Sequence, residues 1–558
     1  KKMWYCILLL GIVSVVYCDP VRPNVVLIIA DDLGWNDVSF HGSDQIPTPN
    51  IDALAYSGVV LNQYRTHCQC TPSRSALLTG KFAYKVGMQG YPLTNAEDRG
   101  LPLTEKILPQ YLKELNYSTH LVGKWHQGHS REVYLPHNRG YDSFFGHRGG
   151  FLDYYEYTTE ETTQFLGFHY FQWTTEKVSG LDLFRNSTPA WDVEGYLTDV
   201  YTNEAKKSKP IIISSHDTSK PLFLQLAHTA PHSANVGALL QAPPNVVRQM
   251  RHIESPERRI LAAMVKTLDD SVGEVVKSLH EKEMLLDTII IFISDNGGMT
   301  AGKEPNYASN WPLRGLKMSP WEGGIRVVGI VWSPIMNGAN HVWNGNMHVV
   351  DWLPTILKAI GAELPNNIDG LDLWENILNN RQSDRDEVYE IDDYTGYSAI
   401  IKGKYKLLTG DVIEQFSHYN GTEVQGIIGE PPSYTDAIVN SLTYKSLREV
   451  GINVDIVNRK LRNDLIVVCD IIQGNICFPS KDKLCFYNIE NDPCETTDLS
   501  ENPDYKEIIN DMTARIKMEW DKRIPRRIPL FRDPRARPSL FNYTWATWYD
   551  QITGVCQV

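Results

Sequence analysis

The run Asn-Val-Val-Leu-Ile-Ile-Ala at 24–30 constrains this chain more than any other feature. It is continuously apolar and rich in β-branched residues, which suits a strand buried on both faces, as in a parallel sheet. It stops abruptly at Asp31-Asp32. The segment 288–294 (TIIIFIS) repeats the pattern and stops at Asp295-Asn296-Gly297-Gly298, and 222–227 (LFLQLA) ends shortly before Pro231-His232. Helical patterns at 107–115 and 258–283 lie between these runs. Strands alternating with helices predict an α/β domain with a mostly parallel sheet flanked by helices, whose ligands sit beyond the carboxyl ends of the strands. After about residue 385 the texture changes. A hairpin pattern around Lys402-Gly403-Lys404, a short strand at 485–489 and an amphipathic helix at 505–520 predict a smaller antiparallel α+β domain. The segment 410–464 carries no clear element and reads as loop. The expected division is 1–18, 19–384 and 385–558.

The strand ends carry the first chemical signal. Asp31, Asp32, Asp295 and Asn296 place four hard oxygen donors at one sheet edge. Clustered carboxylates repel unless a cation joins them, and calcium accepts mixed carboxylate and amide ligands; magnesium is the alternative. Each pair taken alone also suits turns and caps. A second signal is the segment 70–80 (CTPSRSALLTG), with proline near its start and glycine at its end. It predicts a short helix with Cys70 at its N-terminus, where backbone N–H groups favour an anion. Arg74, one turn in, adds a cation.

The C-x-P-S-R-x-x-L-L-T-G pattern resembles the signature of the sulfatase family, in which the cysteine is converted to formylglycine. A-D-D-L-G-W at 30–35, V-G-K-W-H at 122–126 and S-D-N-G-G at 294–298 extend the resemblance. N-W-P-L-R-G-x-K at 310–317 and W-E-G-G at 321–324 look like the arylsulfatase B group, the N-acetylgalactosamine-4-sulfatases and their relatives. The resemblance implies an alkaline-phosphatase-like fold and hydrolysis of sulfate esters through a covalent sulfo-enzyme intermediate. It implies one calcium ion held by Asp31, Asp32, Asp295, Asn296 and the modified Cys70. It gives Arg74 and Lys124 the role of holding the formylglycine hydrate and the sulfate. His126 would bond the hydrate, His232 would protonate the leaving oxygen, and Lys317 would bind sulfate. A formylglycine-generating enzyme is the implied partner in maturation.

The substrate remains open between a terminal sulfated sugar and a small sulfated metabolite such as a glucosinolate. An inactive secreted binding protein with the same fold is the rival of another class, and a phosphatase on that fold is a third. The segment 146–157 with Trp311 is expected to rim the pocket, with His147 and Arg148 reaching a second polar group and 165–173 adding aromatics. A net charge of −13 with no basic stripe argues against nucleic acid. Lys1-Lys2 followed by the apolar run 7–16 reads as a signal peptide, too short to span a bilayer. The secretory pathway, with an extracellular or lysosomal destination, follows as an expectation, along with glycan acceptors at Asn116, Asn186, Asn420 and Asn542. Oligomeric state is open. Of nine cysteines, removal of Cys6 and Cys18 with the signal leaves seven. With Cys70 set aside, six can pair. Local pairing favours Cys469–Cys477 and Cys485–Cys494, leaving Cys68 with Cys556, though other pairings are open.

Overall fold

The computed structural model describes residues 22–166, 173–206, 212–336, 340–418, 427–456, 460–469, 476–526 and 532–554. The segment 1–18 expected to be a signal peptide, residues 167–172 of the aromatic-rich segment, Asn420 and Cys556 lie outside the described residues.

The large sheet has ten strands. In order they are His341–Trp343, Val59–Leu61, Gly329–Trp332, Thr288–Ser294, Asn24–Ala30, Leu222–Ala227, Ser118–Gly123, Ser143–Gly146, Phe184–Arg185 and Thr188–Pro189. The five from Thr288–Ser294 to Ser143–Gly146 are mutually parallel. The central run is apolar throughout because both faces are covered. Val26 and Ile28 pack with Leu261, Val265 and Val272 of the helix Pro256–Glu281, while Val25, Leu27 and Ile29 pack with Leu77, Leu353 and Ile356. Ser255 caps that long helix by accepting from the Arg258 N–H, and Pro256 opens its first turn. Among the described residues, no helix is long and apolar enough to cross a membrane.

The second sheet is antiparallel, with strands Glu387–Asp392, Tyr397–Lys402, Tyr405–Gly410 and Cys485–Asn488. Lys402 pairs with Tyr405 across a two-residue turn in which Gly403 takes a φ of 56°. The helix Lys506–Asp521 lays Ile509, Met512 and Ile516 against Ile400, Leu407 and Phe486. The segment expected to be loop contains three short helices, Tyr434–Asn440, Leu442–Glu449 and Lys460–Leu465. They return to the large sheet, where Ile438, Leu447, Leu461 and Leu465 join its helical layer and the Thr443 N–H donates to Asn50 Oδ1. Each helix offers only a few apolar positions, too few to show a period in sequence. Trp545 also packs back on the large domain, its indole donating to the Thr159 carbonyl.

A fully buried ionic network joins the two sheets. Glu322 holds Arg65 at 2.8 Å and Lys406 at 3.0 Å, and Lys406 reaches Glu495 at 2.8 Å. Beside it, the Arg314 guanidinium donates to the Ser417 and Cys477 carbonyls and lies 3.5 Å from the centre of the Trp321 ring.

The disulfides correct the expected pairing. Cys469 joins Cys494 and Cys477 joins Cys485. Cys485 heads a strand that the chain reaches directly from Cys477, whereas Cys494 lies past the strand's far end, so the nearest cysteines in sequence are not the nearest in space. Cys68 is a free buried thiol lying 2.9 Å from the Tyr397 hydroxyl, and Cys556, its expected partner, lies outside the described residues. Its place between the two sheets leaves it packed among Trp321, Val388 and Tyr397.

Candidate active site

The parallel strands deliver the polar residues to one edge. Asn24–Ala30 delivers Asp31 and Asp32, Thr288–Ser294 delivers Asp295 and Asn296, Ser118–Gly123 delivers Lys124 and His126, and Leu222–Ala227 leads to His232. The helix Cys70–Thr79 aims its N-terminus at this edge. No side chain caps that end, while Gly80 closes the other end with φ 67° and an N–H bond to the Ala76 carbonyl.

Nine of the ten residues singled out from the sequence are buried here, Lys317 being the most open of them, and His232 is partly buried. Lys124 Nζ lies 2.6 Å from Asp31 Oδ2. Arg74 Nη2 lies 2.8 Å from Asp295 and 3.8 Å from Asp31. Lys317 Nζ lies 2.8 Å from Asp32 Oδ1 and 3.0 Å from His232 Nε2. Asn296 donates its side-chain amide to Asp32 Oδ1 at 2.6 Å. Asp32 and His126 both hold left-handed backbone, with φ 61° and 55°, a conformation that disfavours side chains and that concentrates at functional sites.

Burial and charge set the protonation states. Burial alone would raise the Asp32 carboxyl, but Lys317, His232 and Lys124 outweigh it and hold it at about 2. Burial, with the charge of Asp31 added, pushes Asp295 up to about 6. Burial and the Lys317 charge push His232 down to about 3, and burial with Lys124 depresses His126. Both imidazoles are therefore neutral at pH 7. Their hydrogen bonds fix the tautomers. His232 Nδ1 donates to the Ser233 carbonyl at 2.7 Å, leaving the Nε2 lone pair toward Lys317. His126 Nε2 donates to the Leu93 carbonyl at 2.9 Å, and its Nδ1 is buried without a partner. Burial raises the Cys70 thiol, which makes it a poor nucleophile in its unmodified form.

The donor set fits a cation. Asp31, Asp32 and His232 each offer a ligand atom within 4.8 Å of one another. Among the described residues, Asp31 Oδ1 and Asn296 Oδ1 are buried oxygens with no hydrogen-bond partner, a costly arrangement that a hard cation relieves. His232, assigned elsewhere from the sequence, joins this geometric group, while its ring also meets Lys317.

The rim is partly as expected. In 146–157, Gly150 lies so close to His126 that a Cβ there would approach the ring to 3.0 Å. Phe151 stacks parallel to His232 at 6.0 Å, and the Tyr154 hydroxyl donates to the His232 carbonyl. Arg148 differs from expectation. Its guanidinium turns inward, 3.6 Å from the Phe184 ring centre, and donates to the Trp545 and Asn186 carbonyls, because the following chain fills the space beside it. His147 is likewise interior, bonded to the Tyr201 hydroxyl at 2.8 Å. Asn306 was not legible in sequence. Its amide bridges the carbonyls of Asp32 and Pro231, tying the metal-ligand candidates to the His232 loop. A lone asparagine in Lys-Glu-Pro-Asn-Tyr gave no signal.

The sulfatase family model matches residues 23–362, which includes every residue of this cluster. The chain belongs to the sulfatase family. It is similar to arylsulfatase J of Mus musculus, at 35% identity over 95% of this chain and 81% of that protein. It is also similar to N-acetylgalactosamine-6-sulfatase of Mus musculus, at 30% identity over 69% of this chain and 72% of that protein. Among solved structures, Ps i-CgsB in complex with k-i-k-neocarrahexaose superposes with a TM-score of 0.68 at 26% identity, covering 91% of this chain and 94% of that one. This sulfatase is thus a sulfuric ester hydrolase on the alkaline-phosphatase-like fold.

Proposed function

We propose that this sulfatase works through a formylglycine made from Cys70 and a calcium ion held by Asp31, Asp32, Asp295 and Asn296, on a terminal sulfated sugar or a small sulfate ester. The observation that supports this most is the convergence of Lys124, Lys317 and Arg74 with three buried aspartates around the N-terminus of the Cys70 helix. A formylglycine hydrate would supply a hydroxyl nucleophile, and calcium would neutralise charge on the sulfate and the nucleophile.

The chain's own residues do the rest. Lys124, Lys317 and Arg74 are fixed by buried carboxylates, so they meet a sulfate without reorganising, and that is what makes fixed charge effective on a transition state. The free His126 Nδ1 lone pair takes up a proton from a hydroxyl beside it. His232 Nε2 faces Lys317 Nζ, which can lend it the proton that the departing oxygen needs. Phe151 covers one face of His232 and limits water there.

The function is tested by assaying purified, modified protein on a small aryl sulfate, a terminally sulfated oligosaccharide and an internally sulfated polymer. The first two should be cleaved faster, because Cys70 is buried beyond the strand ends, where a terminal group reaches it more readily than an internal one. Preferential release from internal positions contradicts the substrate assignment. The metal is tested separately. Exhaustive chelation should abolish turnover and lower the melting temperature, and calcium should restore both, since a ligand that binds only the folded state stabilises it by mass action. Unchanged activity and melting after chelation rule out the calcium assignment.

A further inference from the structure

Cavity size points away from the catalytic cluster. A polar cleft of about 950 Å³ opens between the two sheets, within the usual range for ligand sites. Its position follows from strand direction. Val59–Leu61 and His341–Trp343 run parallel to each other, and the antiparallel strand Gly329–Trp332 separates Val59–Leu61 from Thr288–Ser294. Both strands therefore end on the same side of the sheet as the Asp31 strand. The residues that follow them, Asn62 and Asn344 among others, line the cleft. Three strand spacings of about 4.8 Å put it roughly 14 Å along the sheet edge from Asp31. Trp35, four residues past Asp31, packs beside the cleft-lining Arg326, whose guanidinium lies 4.6 Å from its ring centre.

The lining has a specific chemistry. Five asparagines and two glutamines face the cleft, and carboxamides offer a donor and an acceptor side by side, as vicinal sugar hydroxyls require. Arg326, Arg381 and Lys404 add positive charge. Arg326 is 2% exposed and donates to Asn62 through Nε and Nη2, yet among the described residues no carboxylate lies within ion-pair distance of it. A buried guanidinium with no carboxylate in direct contact is costly even with the Glu322 charge nearby, and an anion in the cleft would offset that cost. Arg381 and Lys404 are exposed and likewise without an ion-pair partner among the described residues. Three acids, Asp386, Asp464 and Glu490, and a further cation, Arg385, also line the cleft; Asp464 is paired with Lys460 and Arg385 with Asp351, so the surplus of positive charge is small and the carboxamides carry most of the recognition.

We propose that this cleft is an exosite for an anionic glycan, binding a stretch of the substrate chain remote from the sulfate being removed. This rests on the assignment of a sulfated sugar as substrate. The test uses the full chain with Arg381→Glu and Lys404→Glu combined. Both side chains are exposed, and Arg381 is held in place through its backbone, whose carbonyl accepts from the Trp343 indole. The probe is a sulfated galactan hexasaccharide, with its desulfated form as control, titrated by calorimetry at low ionic strength. The exosite predicts that the double variant binds the sulfated probe about tenfold more weakly. Its melting temperature and its rate on a small aryl sulfate should stay unchanged, and the desulfated probe should bind weakly to both proteins. An affinity within twofold of the parent overturns the exosite. Failure of the parent to cleave the aryl sulfate would count against the catalytic assignment instead, and the binding comparison would still decide the exosite.

Discussion

Cys70→Ser should release about one equivalent of alcohol per site from a small sulfate ester and then stop, lowering steady-state turnover by about 10⁴-fold or more. The serine hydroxyl can take the sulfuryl group, with the S–O bond to the alcohol breaking and the alcohol leaving. It has no second hydroxyl on the same carbon, so it cannot expel sulfate by closing to a carbonyl. Substrate affinity should change by less than about threefold, because Lys124, Lys317, Arg74 and His232 are all held by partners other than Cys70. Stopped-flow detection of the alcohol with a steady-state assay separates the two phases. Sustained turnover by the serine variant contradicts the need for two hydroxyls.

Glu322→Gln should be the most damaging conservative substitution away from the site. The side chain keeps its volume but loses the charge that faces Arg65 and Lys406, all three being fully buried. Burial would raise the Glu322 carboxyl, but Arg65 and Lys406 outweigh it and hold it at about 2, so it is ionised at every pH where the protein is handled. Removing one partner of a buried network costs about 3–5 kcal/mol, since the remaining charges stay desolvated. The cost falls on the joint between the two sheets, with Arg65 and Glu322 on one side and Lys406 and Glu495 on the other. Thermal unfolding should therefore show an earlier transition, and Glu322→Gln with Lys406→Met should recover part of the loss. A change below about 1 kcal/mol would mean that Arg314 and the apolar contacts hold the joint without this network.

These two residues show what the sequence made legible and what it did not. The strand-end rule located Asp31, Asp32, Asp295 and Asn296, because a strand buried on both faces must stop being apolar where the chain leaves the sheet, and the structure puts all four at one edge. Lys124, His126, His232 and Lys317 came from family resemblance. Nothing in their spacing tells a buried lysine from a surface one, and only the partner carboxylates make the difference. Glu322 sits in an equally conspicuous motif, Trp-Glu-Gly-Gly, yet its work is structural: it clamps Arg65 and Lys406. The disulfides crossed because Cys485 and Cys494 lie on either side of a strand end. The helices at 434–465 were missed because each buries only one or two apolar residues on a surface that other segments supply. Contacts made by distant segments leave no local pattern to read.

The chemical identity of residue 70 decides the mechanism. Peptide mass spectrometry of the active protein measures this directly. The peptide containing Cys70 should carry an aldehyde or its hydrate in proportion to specific activity, and should react with a carbonyl-specific hydrazide probe. A fully active preparation in which Cys70 remains an intact thiol would contradict the account.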